Sequence, residues 1–344
     1  MGQVMLALVP GTVVISYSLG PGVLINIMVL VLASLACEAA VLSMRKRRIT
    51  PQLSDGSIVL AAWLLALCLP PSLPISQLLL GAVVMTVLGK HIYGGLGFNL
   101  FNPAMVAYGF LLISFPKSMT LWIDPGLALS ADLGIDPKAL PVLSTNGLDA
   151  WKTWWNLKWQ PESFGTALNA QLGKQWDAIT QATPLDRLRT LDRQNGSIIS
   201  TDASPLNQSL FNASPWFEIS LAWLIGGAYL LLRRIIRWHI PVAMLLSAGL
   251  AHLIYGYFYP ANSLPLWFSL FYGGLMFGAF FIATDPVTAP NSRRARLCYG
   301  AGIGLLTVLL RTSSNYPEGV AFAVLLMNAA TPLLDRLFVL ENNT

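Results

Sequence analysis

Asp177, Thr180, Ala182 and Thr183 fall in one polar stretch, Trp176-Asp177-Ala178-Ile179-Thr180-Gln181-Ala182-Thr183-Pro184-Leu185. With an acid, two hydroxyls and a proline at this spacing, the chemistry on offer is esterification of a threonine hydroxyl by an enzyme that can reach it. Pro184 disfavours α conformation at Thr183 and keeps that hydroxyl on an extended or turn segment. The same string is also a helix-start signal, a threonine before a proline at the first helical position. A second ATPL string, Ala330-Thr331-Pro332-Leu333, has apolar Leu325 six residues before its threonine, where Thr183 has Asp177. Position and the acid both select Thr183.

A second set of candidates sits in apolar sequence. Glu38 and His252 lie inside apolar runs, and His239 and Asp285 lie near run ends. An ionisable residue at membrane depth marks an ion or proton path by default, which makes Glu38 and Asp285 ion-path candidates. Glu38 also stands about two turns before Arg45–Arg48 and could pair or snorkel there. Three histidines are too few for several haems. Gly94 to Pro103 (GGLGFNLFNP) and Ala283 to Pro290 (ATDPVTAP) interrupt apolar sequence. Such breaks are tolerated at membrane depth when buried in protein or lining a cavity. They either open helix ends to a ligand or form tight turns capped by Asn102 or Asp285. Cys37, Cys68 and Cys298 lie in apolar stretches without a CxxC pair and read as packing residues.

The elements that must position these residues are transmembrane helices. Apolar residues make up 55% of the 344 and charged residues 11%, whereas a soluble fold carries about a quarter charged. The net charge of +5 comes from short basic clusters between apolar runs, a pattern that excludes nucleic acid as a partner. The fold class is an all-α integral membrane protein in the lipid bilayer. Its expected spans, each needing roughly 20 apolar residues, are 1–19, 23–44, 57–72, 75–90, 101–116, 216–232, 239–259, 263–283, 297–312 and 318–339. The first run has no basic n-region or cleavage site, so it reads as the first of about ten spans. Threaded alternately, these spans put Arg45–Arg48, Lys90, His91, Arg233, Arg234, Arg237, Arg293, Arg294, Arg296 and Arg336 on one side. The positive-inside rule makes that side cytoplasmic, with both termini inside and residues 117–215 outside. The chain thus divides into a five-helix half at 1–116, one long periplasmic loop at 117–215, and a five-helix half at 216–344. An odd number of spans per half inverts the second half, the arithmetic of an inverted 5+5 repeat. Tyr93-Gly94-Gly95-Leu96 recurs as Tyr272-Gly273-Gly274-Leu275, a hint of internal similarity.

The string from Asp177 to Thr183 resembles the flavin-attachment motif D-x-x-[ST]-G-A-T of membrane subunits of ion-translocating oxidoreductases. Gln181 stands where the common motif has glycine. Asn99–Ala104 (NLFNPA), FIATDPVTAP at 281–290, the ten spans and the loop position fit the same family over the whole chain. This family contains the D-type membrane component of Rnf electron-transport complexes. It also contains the B-type component of sodium-pumping NADH:quinone oxidoreductases, whose longer cytoplasmic N-terminus is absent here. The resemblance implies that Thr183 is joined through a phosphoester to FMN by a dedicated flavin transferase, with Asp177, Thr180 and Ala182 completing the motif. It implies a bacterial inner membrane, and partner subunits of the A, B, C, E and G types that supply iron–sulfur clusters and react with ferredoxin and NAD. A second, non-covalent flavin (riboflavin) among the spans is implied as well.

Trp151, Trp154, Trp155, Trp159 and Trp176 in the loop could stack on a flavin or a partner, but read first as an interfacial aromatic belt. The sequons at Asn195, Asn207 and Asn212 read as chance in a Ser/Asn-rich loop. The expected function is that of a non-autonomous subunit of an ion-translocating oxidoreductase. It would carry covalent FMN and couple electron transfer to Na⁺ or H⁺ movement. The alternative is an inverted-repeat transporter or channel without a redox role.

Overall fold

The computed structural model describes residues 1–95, 97–120, 122, 148–159, 215–260, 265–313 and 319–340, and these are helical with short connections. The first half holds α1 (Gly2–Leu19), α2 (Gly22–Met44), the short α3 (Ile49–Leu53), α4 (Ser57–Cys68), α5 (Ile75–Val87), a 3₁₀ turn at His91–Tyr93, α6 (Pro103–Ser114) and α7 (Pro116–Met119). One loop helix is described, α8 (Leu148–Trp159). The second half holds α9 (Trp216–Leu232), α10 (His239–Phe258), α11 (Leu266–Phe271), α12 (Leu275–Phe277) with the π-turn Gly278–Ile282, α13 (Arg293–Ser313) and α14 (Val320–Leu340). Helices form within each apolar run. Five are long and apolar enough to cross a membrane: Gly2–Leu19, Gly22–Met44, Ile75–Tyr93, His239–Phe258 and Val320–Phe338. Ser57–Cys68, Pro103–Ser114 and Trp216–Leu232 are shorter apolar helices. At 1.5 Å per residue α4 and α6 reach only about 18 Å.

The run expected at 263–283 is broken. Tyr272 takes an extended conformation, Gly273 has φ 102°, and the chain resumes as α12 and the π-turn. Glycine supplies the left-handed geometry that another residue would resist.

The two halves pack by the same pairings. α2 packs on α4 and α5, and α5 on α6; correspondingly α10 packs on α11, the π-turn and α13, and α13 on α14. The halves meet where α1 packs on α9 and α6 on α14. Close approach at these seams rests on glycine. A Cβ on Gly226 would stand 2.3 Å from the Ala7 carbonyl oxygen, and one on Gly11 would enter the Trp223 ring. In α13, Gly300 and Gly304 lie one turn apart against α10, where added Cβ atoms would meet the Ile240 and Met244 carbonyl oxygens at 2.6 and 2.2 Å. This small-xxx-small face lets two backbones touch. The repeated Tyr-Gly-Gly strings take different places in the pattern. Tyr93-Gly94-Gly95 follows α5, whereas Tyr272-Gly273-Gly274 splits the third element of its half. Their likeness is not a trace of the pairing.

Basic residues gather at one end. Arg45 donates to the His91 carbonyl at 2.7 Å and Arg47 to that of Gly94 at 3.3 Å, while Arg237, Arg293 and Arg296 surround His239. The opposite end carries α8, whose Trp154 lies over Gly20 and Gly22. Trp154 is therefore buried packing, in contrast to the belt expected of it, while Trp151, Trp155 and Trp159 are exposed. Cys37 and Cys68 are half-buried, but Cys298 is exposed on α13 and does not pack.

Candidate functional site

The two segments that interrupt apolar sequence come together. A cavity of about 270 Å³ at the basic end is lined by Asn99, Asn102 and Pro103 from one and by Thr284, Asp285 and Val287 from the other. Ser57 and Lys90 add polar groups, and Leu60, Leu64, Phe280 and Phe281 form apolar wall. Asn102 does cap α6: its Oδ1 accepts from the Ala104 and Met105 N–H groups at 3.0 and 3.3 Å, with Pro103 at the first helical position. Asp285 caps a tight turn, as one of the two readings of its segment had it. Its carboxylate accepts from the Val287 N–H and the Thr288 hydroxyl, both at 3.3 Å, holding a turn. The α13 start is held by Ser292, whose hydroxyl accepts from the Ala295 N–H at 3.1 Å. Burial pushes the Asp285 carboxyl above its ordinary value, against the pull of those two hydrogen bonds. Asn99 Oδ1 is a buried acceptor without a hydrogen-bond partner on the cavity wall.

Glu38 is buried, 1% exposed, and does not reach the Arg45–Arg48 cluster, contrary to one reading of its position. Its partner is Lys90, whose Nζ donates to Glu38 Oε1 at 2.6 Å and to Ser57 Oγ at 2.9 Å. His91 Nε2 lies 3.4 Å from the same carboxylate oxygen. Lys90 and His91, which the sequence places at the cytoplasmic end of the fourth span, are buried, and Lys90 is the countercharge that ties α2, α4 and the end of α5 together.

Further from the basic end, between the halves, lies an apolar cavity of about 90 Å³ lined by Tyr108, Trp122, Trp216, Trp223, Phe277 and the Gly273–Gly274 break, among others. Trp122 and Trp216 pack edge to face at 5.4 Å, and Trp223 sits 4.8 Å from Phe277. Trp216 Nε1 is buried without a hydrogen-bond partner. An orphaned indole N–H in an aromatic wall suits the acceptor edge of a planar heteroaromatic ring.

Asp285 lines the basic-end cavity, and Glu38 sits just behind its wall, bonded to the Lys90 that lines it. Thr183, Asp177, Thr180 and Ala182, with Trp176 and the three sequons, lie outside the described residues. Thr331 of the second ATPL string is a helical residue of α14, donating to the Thr288 and Met327 carbonyls. Sequence reasoning missed Lys90 as the partner of Glu38, and no local signal pairs residues 52 apart.

The sequence profile of the family described as NQR2, RnfD, RnfE matches residues 1–343. The chain belongs to this family. In Klebsiella pneumoniae (strain 342), a protein named as the D component of an ion-translocating oxidoreductase complex is 41% identical over 332 residues, 96% of this chain and 90% of that one. Its namesake in Aeromonas salmonicida (strain A449) is 41% identical over 339 residues, covering 97% and 91%. One in Escherichia coli O9:H4 (strain HS) is 39% identical over 333 residues, covering 96% and 90%. Family membership covers both cavity-lining segments, which join the halves at the basic end.

Proposed function

We propose that this chain is the D-type membrane component of a bacterial ion-translocating oxidoreductase complex, carrying FMN esterified through its phosphate to Thr183. The reading rests on one observation: the Asp177-to-Thr183 string occurs in a chain that belongs to the family over nearly its whole length. The corresponding pairings of the two halves, and the gathering of basic residues at one end, support ten spans in an inverted 5+5 arrangement. In that arrangement the termini are cytoplasmic and 117–215 faces the periplasm. Partner subunits supply the remaining electron carriers, and a flavin transferase loads Thr183.

Flavin supplies one- and two-electron redox chemistry. The chain's own residues do the rest. Trp216 Nε1 would offer a hydrogen-bond donor to a flavin held in the aromatic cavity, while Trp122, Trp223 and Phe277 would exclude water there. At the basic end Asp285 holds a proton or Na⁺, with Asn99 Oδ1 as a further oxygen donor. Glu38, locked to Lys90, sets the wall of that cavity and stands second on the ion path.

Two experiments follow. The denatured chain, expressed with an active flavin transferase, is expected to fluoresce in a gel under ultraviolet light, and Thr183→Ala to abolish the band while Thr331→Ala keeps it. A dark wild-type band would leave the transporter reading in place. Asp285→Asn is expected to reduce ion uptake into vesicles of the whole complex at least about tenfold while the flavin band persists. Uptake unchanged by the substitution would remove Asp285 from the path, and collapse of uptake by a sodium ionophore would identify Na⁺.

A further inference from the structure

We propose that Lys158 is the anchor that seats helix α8 of the long loop on the helical core. Lys158 lies on α8 and is 1% exposed. Its Nζ donates to Asn26 Oδ1 of α2 and to the Leu73 carbonyl of the α4–α5 turn, the latter at 2.9 Å. Asn26 is itself held by its Nδ2, which donates to the Pro70 carbonyl at 3.0 Å. The amine therefore joins a loop helix to two elements of the first half through acceptors already fixed in place.

The rest of α8 is built around this contact. Trp154, one turn earlier and on the same face, packs so closely on the α1–α2 turn that a Cβ at Gly22 would stand 2.6 Å from its ring. Trp151, Trp155 and Trp159 form the neighbouring stripe, 42%, 39% and 61% exposed, and Lys152 and Asn156 continue the exposed side. Twelve residues are too few for a stable isolated helix, so α8 depends on its docked face. Among the described side chains, that face offers the Trp154 ring and the Lys158 amine. The proposal itself does not depend on a bound flavin.

The chemistry of the seat carries a signature that plain packing would lack. The acceptors named are a neutral amide and a neutral carbonyl. The elements packed on this face contribute Gly20, Gly22, Asn26, Pro70, Pro71 and Leu73, none of which titrates. Burial, with no carboxylate beside it among the described residues, holds the Lys158 amine well below its ordinary value. Undocked, the amine returns to about 10.4. The undocked form then binds more protons, so docking strengthens as pH rises between the docked and undocked values.

Hydrogen–deuterium exchange on the whole complex in lipid nanodiscs tests this, reading the amides of 148–159 after correction for intrinsic rates. Lys158→Met, which leaves the Asn26 and Leu73 oxygens unpaired, is expected to speed their exchange about tenfold or more. Wild-type protection is expected to climb as the pH is raised toward the ordinary lysine value of about 10.4, by up to about tenfold per unit, and Lys158→Met to show no such climb. Asn26→Asp supplies a carboxylate for the amine and is expected to give high protection that is flat over that range. It also serves as the test if Lys158→Met does not assemble. Protection unchanged in Lys158→Met, or a wild-type pH slope that persists in Asn26→Asp, would overturn the proposal.

Discussion

Lys90→Met is expected to destabilise the chain by about 3–5 kcal/mol, because it strands the buried Glu38 carboxylate. Lys90 is the residue that satisfies Glu38 Oε1, at 2.6 Å, while Glu38 Oε2 already lacks a hydrogen-bond partner. His91, 3.4 Å away, is a weaker substitute. Removing the acid as well should restore part of the loss, since an unpaired buried amide costs less to desolvate than an unpaired carboxylate. Glu38→Gln/Lys90→Met is therefore expected to be more stable than Lys90→Met alone, with a coupling of about 1–3 kcal/mol in the double-mutant cycle. Thermal denaturation of the purified chain in detergent measures all four corners. Equal stability of the single and double variants would show that the pair is not what holds α2, α4 and α5 together at the basic end.

The second large effect is expected at Gly304. An added Cβ meets Ser247 Oγ at 2.1 Å, the Met244 carbonyl at 2.2 Å and the Ala248 nitrogen at 2.9 Å. Two of these atoms are backbone, so the only relief is to push α10 and α13 apart along their tightest seam. Gly304→Ala is expected to cost about 3 kcal/mol, the upper part of the overpacking range, and Gly304→Leu to prevent accumulation of folded protein. Gly302, on the same helix, is the control. Its Cβ would meet the Met327 side chain at 2.6 Å, and a methionine can swing aside. Gly302→Ala should therefore lower the melting midpoint much less than Gly304→Ala. If the two are equally harmful, helix propensity and not backbone contact sets the cost.

These two residues show what was legible and what was not. Apolar runs announce helices, and the run at 216–232 became α9 with the same bounds, because span length and composition are local properties. The break in the third element of the second half was also written locally, in Gly273 and Gly274, although a continuous helix was expected there. The Gly300-x-x-x-Gly304 spacing was equally readable, but its meaning needs the partner helix. Lys90 illustrates the opposite case. Next to His91 and close to a glycine-rich stretch it reads as a loop cation, and only the packing of α5 on α2 turns it inward. Lys158 is hidden in the same way, since a lysine among tryptophans in a polar loop gives no sign of burial. Of the site, the convergence of the Asn102 and Asp285 segments on one cavity follows from how the halves are joined, which no single segment encodes.

The proposed function turns on Thr183. Trypsin cleavage after Lys174 and Arg187 releases Gln175–Arg187, which contains Thr180, Thr183 and the whole Asp177-to-Thr183 string. Mass spectrometry of this peptide, from protein made with an active flavin transferase, is the most direct test. The expected result is a peptide heavier by FMN less one water, with fragment ions placing the ester on Thr183. An unmodified peptide, or a flavin placed on Thr180, would contradict it.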